Sequence, residues 1–173
     1  MEYNVLKDCR YIDNKERKII MKKVFLLLLA FVFVLAGCSG GGNSGNEEER
    51  FLNLVSASQR LMDDVADTIY DNWHGAIYED EFGDDINRAI AAALVEHKDD
   101  INTIKSNDEK IKDLYKKVRN GKLSDEAKDV MQAYNEYYEF VINVSGSFNS
   151  YSANKETLKK ALSSALKNLE MEI

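Results

Sequence analysis

The chain predicts an all-α protein, an elongated antiparallel bundle of three long helices whose third helix is either continuous or broken near Gly146 to give four. Three observations lead there. Proline is absent from all 173 residues, so nothing fixes φ or removes a backbone donor inside a helix. From Phe51 to the C-terminus apolar residues recur at spacings of three, four and seven, the signature of a helical stripe. Four of the nine glycines, Gly40, Gly41, Gly42 and Gly45, crowd one stretch that precedes the periodic region. Hydrophobic and charged contents of 45% and 31% are those of an ordinary globular domain. The two cysteines, Cys9 and Cys38, also precede the periodic region, so residues 47–173 can hold neither an internal disulfide nor a cysteine metal site.

The first stripe is Phe51, Val55, Met62, Val65, Ile69, Trp73 and Ala76, with Glu47, Glu48 and Glu49 at the positive end of the helix dipole. The second is Phe82, Ile86, Ile90, Ala93, His97, Ile101, Ile104, Ile111, Tyr115 and Val118, stopped by Asn120-Gly121, where Gly121 suits a left-handed cap. Ser124-Asp125-Glu126 reads as a cap and acidic first turn. The third stripe then runs from Ala127 through Val130, Tyr134, Tyr137, Val141, Val144, Phe148, Tyr151, Leu158, Leu162 and Ala165 to Leu169. Its phase never resets and only Lys155 interrupts it, which favours one long third helix. A turn between Gly146 and Asn154 is the alternative. With three helices, Asp63, His97 and Gly146 share a level, Phe148 and Tyr151 face Ala91, Ala92 and Ala93, and Leu162 to Ile173 overhang the first hairpin.

The segment before the bundle divides further. From Met21 the chain reads Met-Lys22-Lys23, then an uncharged run of 15 residues from Val24 to Cys38 that ends in Leu35-Ala36-Gly37-Cys38. This is a charged region, an apolar region and a small-residue cleavage site in the order of a secretory signal. The run is shorter than the roughly 20 residues of a bilayer-spanning helix, which leaves a permanent transmembrane helix as the alternative. Leu35-Ala36-Gly37-Cys38 resembles the lipobox of bacterial lipoproteins. That resemblance implies diacylglyceryl transfer to the Cys38 thiol, cleavage between Gly37 and Cys38, and a lipid anchor at the extracytoplasmic face of the cell membrane. Residues 1–20 read as an untranslated or misassigned extension, because Lys15-Glu16-Arg17-Lys18 requires purine-rich codons like a ribosome-binding site just before Met21; the alternative is a long charged region. Residues 21–37 are then the signal peptide, 38–46 the lipidated cysteine and a Gly/Ser/Asn linker, and 47–173 the bundle. The linker has the composition of a flexible coil with a reach of about 15–20 Å.

Without residues 1–37 the chain keeps 16 basic and 26 acidic side chains, a net charge of −10, which excludes nucleic acid as a natural partner. The charge is uneven. Lys110, Lys112, Lys116, Lys117, Arg119 and Lys122 face one acid, Asp113, giving +5 over 13 residues. These cations suit a helix C-terminus; they also lie on the tether side of an antiparallel bundle and fit anionic headgroups. At the other end Glu79, Asp80, Glu81, Asp84 and Asp85 form an acidic turn without the ligand order of a calcium-binding loop.

His74 and His97 are the only histidines and sit roughly 15 Å apart in level at 1.5 Å per residue. Asp71-x-x-His74 lacks the third and fourth ligands that zinc wants, so no metal or other cofactor is expected. His97 reads as a buried, hydrogen-bonded histidine at the level of Asp63 and Asp64. The nine tyrosines read mainly as core, with an amphipathic face for a partner as the alternative.

The residues Trp73-His74-Gly75-Ala76-Ile77-Tyr78, with Ser145-Gly146-Ser147-Phe148-Asn149-Ser150-Tyr151 downstream, resemble a group of small helical proteins of Gram-positive bacteria and their phages, in which proline often stands at the place of Val144. The resemblance implies a helical fold and brings no activity that could be carried over to this chain. No nucleophile with a base, phosphate-binding glycine loop or ligand set is recognisable. The sequence therefore predicts a non-enzymatic, lipid-anchored binding or scaffolding module of the envelope. Its expected partners are the membrane, through lipid on Cys38, and an envelope or extracellular protein, with phage exclusion or immunity as one version. A small-ligand-binding helical protein and, further off, an enzyme are the alternatives.

Overall fold

A computed structural model describes residues 47–173; Gly37, Cys38 and the rest of the leader and linker lie outside the described residues. The described part is all-α, with no strand among its residues. Helix α1 spans Glu47–Tyr78, α2 Ile86–Glu96, α3 Lys98–Val118, α4 Ser124–Ile142 and α5 Phe148–Glu172, with a short 3₁₀ turn at Glu81–Asp84. None of these helices is long and apolar enough to cross a membrane.

Helix α1 is the shared wall. Its buried positions Phe51, Val55, Met62, Val65, Ile69, Trp73 and Ala76 are the stripe expected from sequence, joined by Ser58, Gln59, Ala66 and Gly75. Hydrogen bonds fix what runs beside it. Asn72 Nδ2 donates to the Ala89 carbonyl at 3.2 Å, Asn107 Nδ2 to Ser58 Oγ at 3.1 Å, and Lys117 Nζ to Glu47 Oε1 at 3.2 Å. Numbers fall along α1 as they rise along α2 and α3, so that pair returns antiparallel. The two are separated only at His97, whose φ of −98° and ψ of 22° leave the helical range. Ile101 N still donates to the His97 carbonyl, so the path kinks without reversing.

The continuous third helix does not occur. Helix α4 ends at Ile142, Gly146 takes φ +92°, and Ser147 caps α5 by accepting from Ser150 N while its own N–H donates to Ser150 Oγ at 2.9 Å. The chain reverses here. Tyr137 of α4 reaches Asp63, whereas on α5 Tyr151 reaches Ala66, Lys159 pairs with Asp63 and Ser163 meets Gln59. Helix α5 is therefore antiparallel to α1 and to α4. The unbroken phase misleads because two hairpin-connected helices both turn their stripes to one core, and a connection of suitable length preserves the phase across a full reversal.

Three further expectations change with it. Leu162, Leu166 and Leu169 do not overhang the first hairpin; they are buried against the N-terminal half of α1. Phe148 meets Tyr70, Trp73, His74 and Tyr78, with ring centroids 5.1 to 6.0 Å away, and not the alanines of α2. Gly121 does not adopt the left-handed conformation: its N–H donates to the Val118 carbonyl at 2.9 Å in a tight turn, and buried Leu123, not Ser124, precedes α4 as its cap residue without a side-chain hydrogen bond.

Candidate functional sites

The six cations of the Lys110 to Lys122 segment come to the end of the bundle where the described chain begins. Lys117 pairs with Glu47, the first residue of α1, at 3.2 Å, and Arg50 lies 3.6 Å from the same carboxylate. Three of the six are tied to acids: Lys117 to Glu47, Lys116 to Asp113 at 2.8 Å, and Lys112 to buried Asp108 at 2.7 Å, with its ammonium 5.9 Å from the Tyr138 ring. The hydrogen bond from Lys116 holds the Asp113 carboxyl below its ordinary range, and that to Asp108 raises Lys112. Lys110, Arg119 and Lys122 are exposed. The α5 C-terminus runs toward this same end, so Glu170 and Glu172 join Glu47 to Glu49 in diluting the positive field.

At the opposite end of α1, residues 79–85 carry the acidic turn. Asp80, Phe82 and Asp84 take φ near +55° to +59° and Gly83 +63°, so four left-handed residues fall within five positions. Asp84-Asp85 leads into α2, where Asp85 Oδ1 accepts from Arg88 N at 3.0 Å. Glu81 folds back beneath Gly75, so close that a Cβ on that glycine would collide with its carboxylate. Tyr70, Asp71, Asn72, His74, Glu79 and Glu81 line an open cleft of about 440 Å³ here. His74 Nδ1 is 3.3 Å from Glu79 Oε1. Trp73 turns away from this cleft to pack on Phe148 and Tyr151, and its indole N–H is buried without a protein acceptor among the described residues.

His97 is held at both ring nitrogens, by Asp100 Oδ2 at 2.7 Å and Thr68 Oγ1 at 2.8 Å. It pins the α2–α3 kink to α1 as a hydrogen-bonded, mostly buried histidine. Burial raises the nearby Asp64 carboxyl, with Asp100, Asp63 and Asp67 adding to the effect and His97 opposing it. Among the described residues no group of three or more His, Cys, Asp or Glu side chains is placed to hold a metal ion.

Sequence reasoning missed a polar seam between α1 and the α4–α5 hairpin. Lys155, the residue that interrupts the third stripe, is 8% exposed; its Nζ is 2.7 Å from Asp67 Oδ1 and 4.4 Å from the Tyr70 ring centroid. Tyr137 OH donates to Asp63 Oδ1 at 2.7 Å, and Lys159 spans Asp63 at 3.3 Å and Asp67 at 3.8 Å. Burial works against the Lys159 charge, but the two aspartates outweigh it and raise its pKa. Burial pushes the Tyr137 hydroxyl up, helped by its bond to Asp63, and likewise raises Tyr151 and Tyr134. The signal was a lysine in an otherwise apolar stripe; its partner, 88 residues away, carries no sequence mark. Tyr137, Lys155 and Lys159 each meet Asp63 or Asp67, and these pairs tie α4 and α5 to α1.

No protein-family model, curated protein or solved structure matches this chain.

Proposed function

We propose that the protein is a lipid-anchored, non-enzymatic binding or scaffolding module on the extracytoplasmic face of the cell membrane. The observation that carries the reading is the leader: Lys22-Lys23, an apolar run and Leu35-Ala36-Gly37-Cys38, followed by an uncharged linker that meets the domain at Glu47. An antiparallel bundle joined to lipid at that point directs one end to the membrane and the acidic turn away from it. All six proposed membrane-facing cations are exposed, and Lys112, Lys116 and Lys117 among them are also paired with acids. At about 1 kcal/mol for each cation near an anionic surface, and with acids beside them, they orient the domain while the lipid supplies the affinity. With Leu162, Leu166 and Leu169 built into the core, the surface left to meet a partner protein is the outer end.

Metabolic labelling with a fatty-acid analogue tests the anchor. The wild-type chain takes up label and fractionates with membranes, and Cys38→Ala loses the label; label retained in Cys38→Ala, or wild-type chain recovered unlabelled from the soluble fraction, defeats the reading.

A second reading, a small-ligand binder, is favoured by the cleft lined by Tyr70, Asp71, Asn72, His74, Glu79 and Glu81. Its polar, acidic rim suits a cationic small molecule. His74→Ala and Glu79→Gln should then abolish thermal stabilisation by such a ligand.

A further inference from the structure

The open cleft at the outer end of the bundle carries negative charge that nothing beside it balances. Tyr70, Asp71, Asn72, His74, Glu79 and Glu81 line its 440 Å³. Asp71 comes from α1, whereas Glu79 and Glu81 come from the turn that follows, and all three are exposed. Among the described residues no lysine or arginine pairs with any of them, and His74 alone approaches, 3.3 Å from Glu79. Gly75 lets the turn come this near, because the Glu81 carboxylate lies where a Cβ at that position would stand. Solvated carboxylates alone would mean little. Here they share a concave surface with two braced rings: the His74 ring centroid lies 6.2 Å from that of Tyr70 and 4.8 Å from that of Tyr78, and Phe148 stacks on Tyr70 at 5.1 Å. A wall held in this way needs little ordering when a ligand arrives.

Geometry decides the class of ligand. The three carboxylates and His74 share the cleft, yet among the described residues no three such groups converge closely enough to hold a metal ion. A spherical cation therefore finds too few ligands at any one point. A planar guanidinium is different, because its N–H donors are spread around its edges and its face stacks on rings. Asp71 on α1 and the two turn acids can then accept from separate edges. The cleft is open, so a long side chain can enter it with its main chain left outside. We propose that the cleft bounded by Asp71, His74, Glu79 and Glu81 receives an arginine side chain of a partner protein. Arginine is among the few side chains that dominate protein interfaces when seated in a pocket. This rests on the reading of the domain as a binding module whose outer end meets a partner, and it names the group that end receives.

The two histidines supply the readout. His74 lines the cleft, whereas His97 is held at the α2–α3 kink by Asp100 and Thr68. The wild-type lipoprotein, with isotope-labelled histidine rings, is placed in nanodiscs of zwitterionic phosphatidylcholine. Magnetic resonance then follows both rings at fixed pH and salt as an end-blocked peptide Ala-Ala-Arg-Ala-Ala is added. The peptide is expected to shift His74 saturably and leave His97 in place. The same peptide with citrulline, which keeps the shape of arginine without its charge, should bind about ten-fold more weakly. Asp71→Asn with Glu81→Gln should weaken the arginine peptide about five-fold. Gly75→Ala keeps every charge but pushes the Glu81 carboxylate aside, and it should weaken binding about three-fold while suiting the helix interior better than glycine. Circular dichroism shows whether each variant retains its fold. Equal binding of the arginine and citrulline peptides, equal movement of both histidines, or unchanged binding by both folded variants overturns the proposal. Binding of free arginine in place of the peptide overturns it too, by making the source a small molecule. A chain that fails to remain with the nanodiscs fails the anchored reading instead, and the two failures are separately visible.

Discussion

The two flanks of α1 are built on different terms. On one, the α4–α5 hairpin buries Leu162, Leu166 and Leu169 and sends Tyr137, Lys155 and Lys159 to the α1 carboxylates. Its connecting turn confines the left-handed conformation to Gly146, and Ser147 caps α5. On the other, α2 buries two alanines, and its turn places Asp80, Phe82 and Asp84 as well as Gly83 in the left-handed region. That region costs most L-residues roughly 1–2 kcal/mol. The contrast is with α2 alone, because α3 continues the same flank and buries Ile104, Ile111, Leu114 and Val118.

Core truncation sets the scale of that difference. Leu162→Ala, at a fully buried site, should cost about 2–5 kcal/mol in urea unfolding, whereas Val95→Ala, at 76% exposure, should stay within about 0.5 kcal/mol. Comparable losses at the two sites would break the comparison outright.

Much of the hairpin flank was present in the sequence but pointed the wrong way. The 3.6-residue period gave helices over nearly the whole described chain and named the α1 face, because period reports which side of a helix is apolar. It does not report direction, so a stripe in continuous phase concealed the reversal that Gly146 and the Ser147-x-x-Ser150 cap bring about. Lys155 stood out only as a fault in the stripe, since its burial depends on an aspartate distant in sequence. His97 was legible as a hydrogen-bonded histidine, though not as the hinge between α2 and α3. On the α2 flank, an apolar helix read naturally as core, and its exposure depends on where α4 and α5 pack. The Lys110 to Lys122 cluster was visible as charge, but ion pairs to Glu47, Asp108 and Asp113 are tertiary facts that reduce its outward field.

Alkaline titration separates the flanks next. Tyr137, Tyr151 and Tyr134 all have hydroxyls raised from the ordinary value of 10.0. The folded protein therefore holds these protons after the unfolded chain has begun to lose them. Their contribution to stability is complete below about pH 10 and declines above it, by about 1.4 kcal/mol per pH unit for each tyrosine at full effect. Lys112 and Lys159, also raised, act in the same direction once the unfolded lysines deprotonate. Tyr137→Phe should flatten the decline in unfolding free energy between pH 10 and 11 by about one tyrosine's share. An unchanged slope would mean that the seam opens before the chain unfolds.

The two turns then allow a comparison at matched chemistry. Gly146→Ala places a Cβ in a left-handed residue and only 2.8 Å from Ser150 Oγ, so it disturbs the α5 cap as well as the backbone. About 2 kcal/mol of destabilisation is expected from the combination. Thermal unfolding of Gly146→Ala beside Ser147→Ala, which removes the cap alone for about 1 kcal/mol, should show the glycine variant as the more damaged.

Gly83→Ala is the smaller and more informative change. Its φ of +63° is equally left-handed, but nothing lies within 4 Å of the added Cβ, so only backbone strain is introduced. If the acidic turn is held as firmly as the Asn143–Ser147 turn, the substitution should cost about 1 kcal/mol. A loss near zero would show that residues 80–84 relax at no cost to the fold, because α2 is braced by His97 and Ala93 at its far end more than by the turn. Hydrogen exchange at the α2 amides distinguishes the cases: a turn coupled to the fold gives them protection that falls with global stability in Gly83→Ala, while a loose turn lets α2 exchange through local opening in both proteins alike. Local opening would mark α2 as a segment that unfolds separately from the hairpin flank.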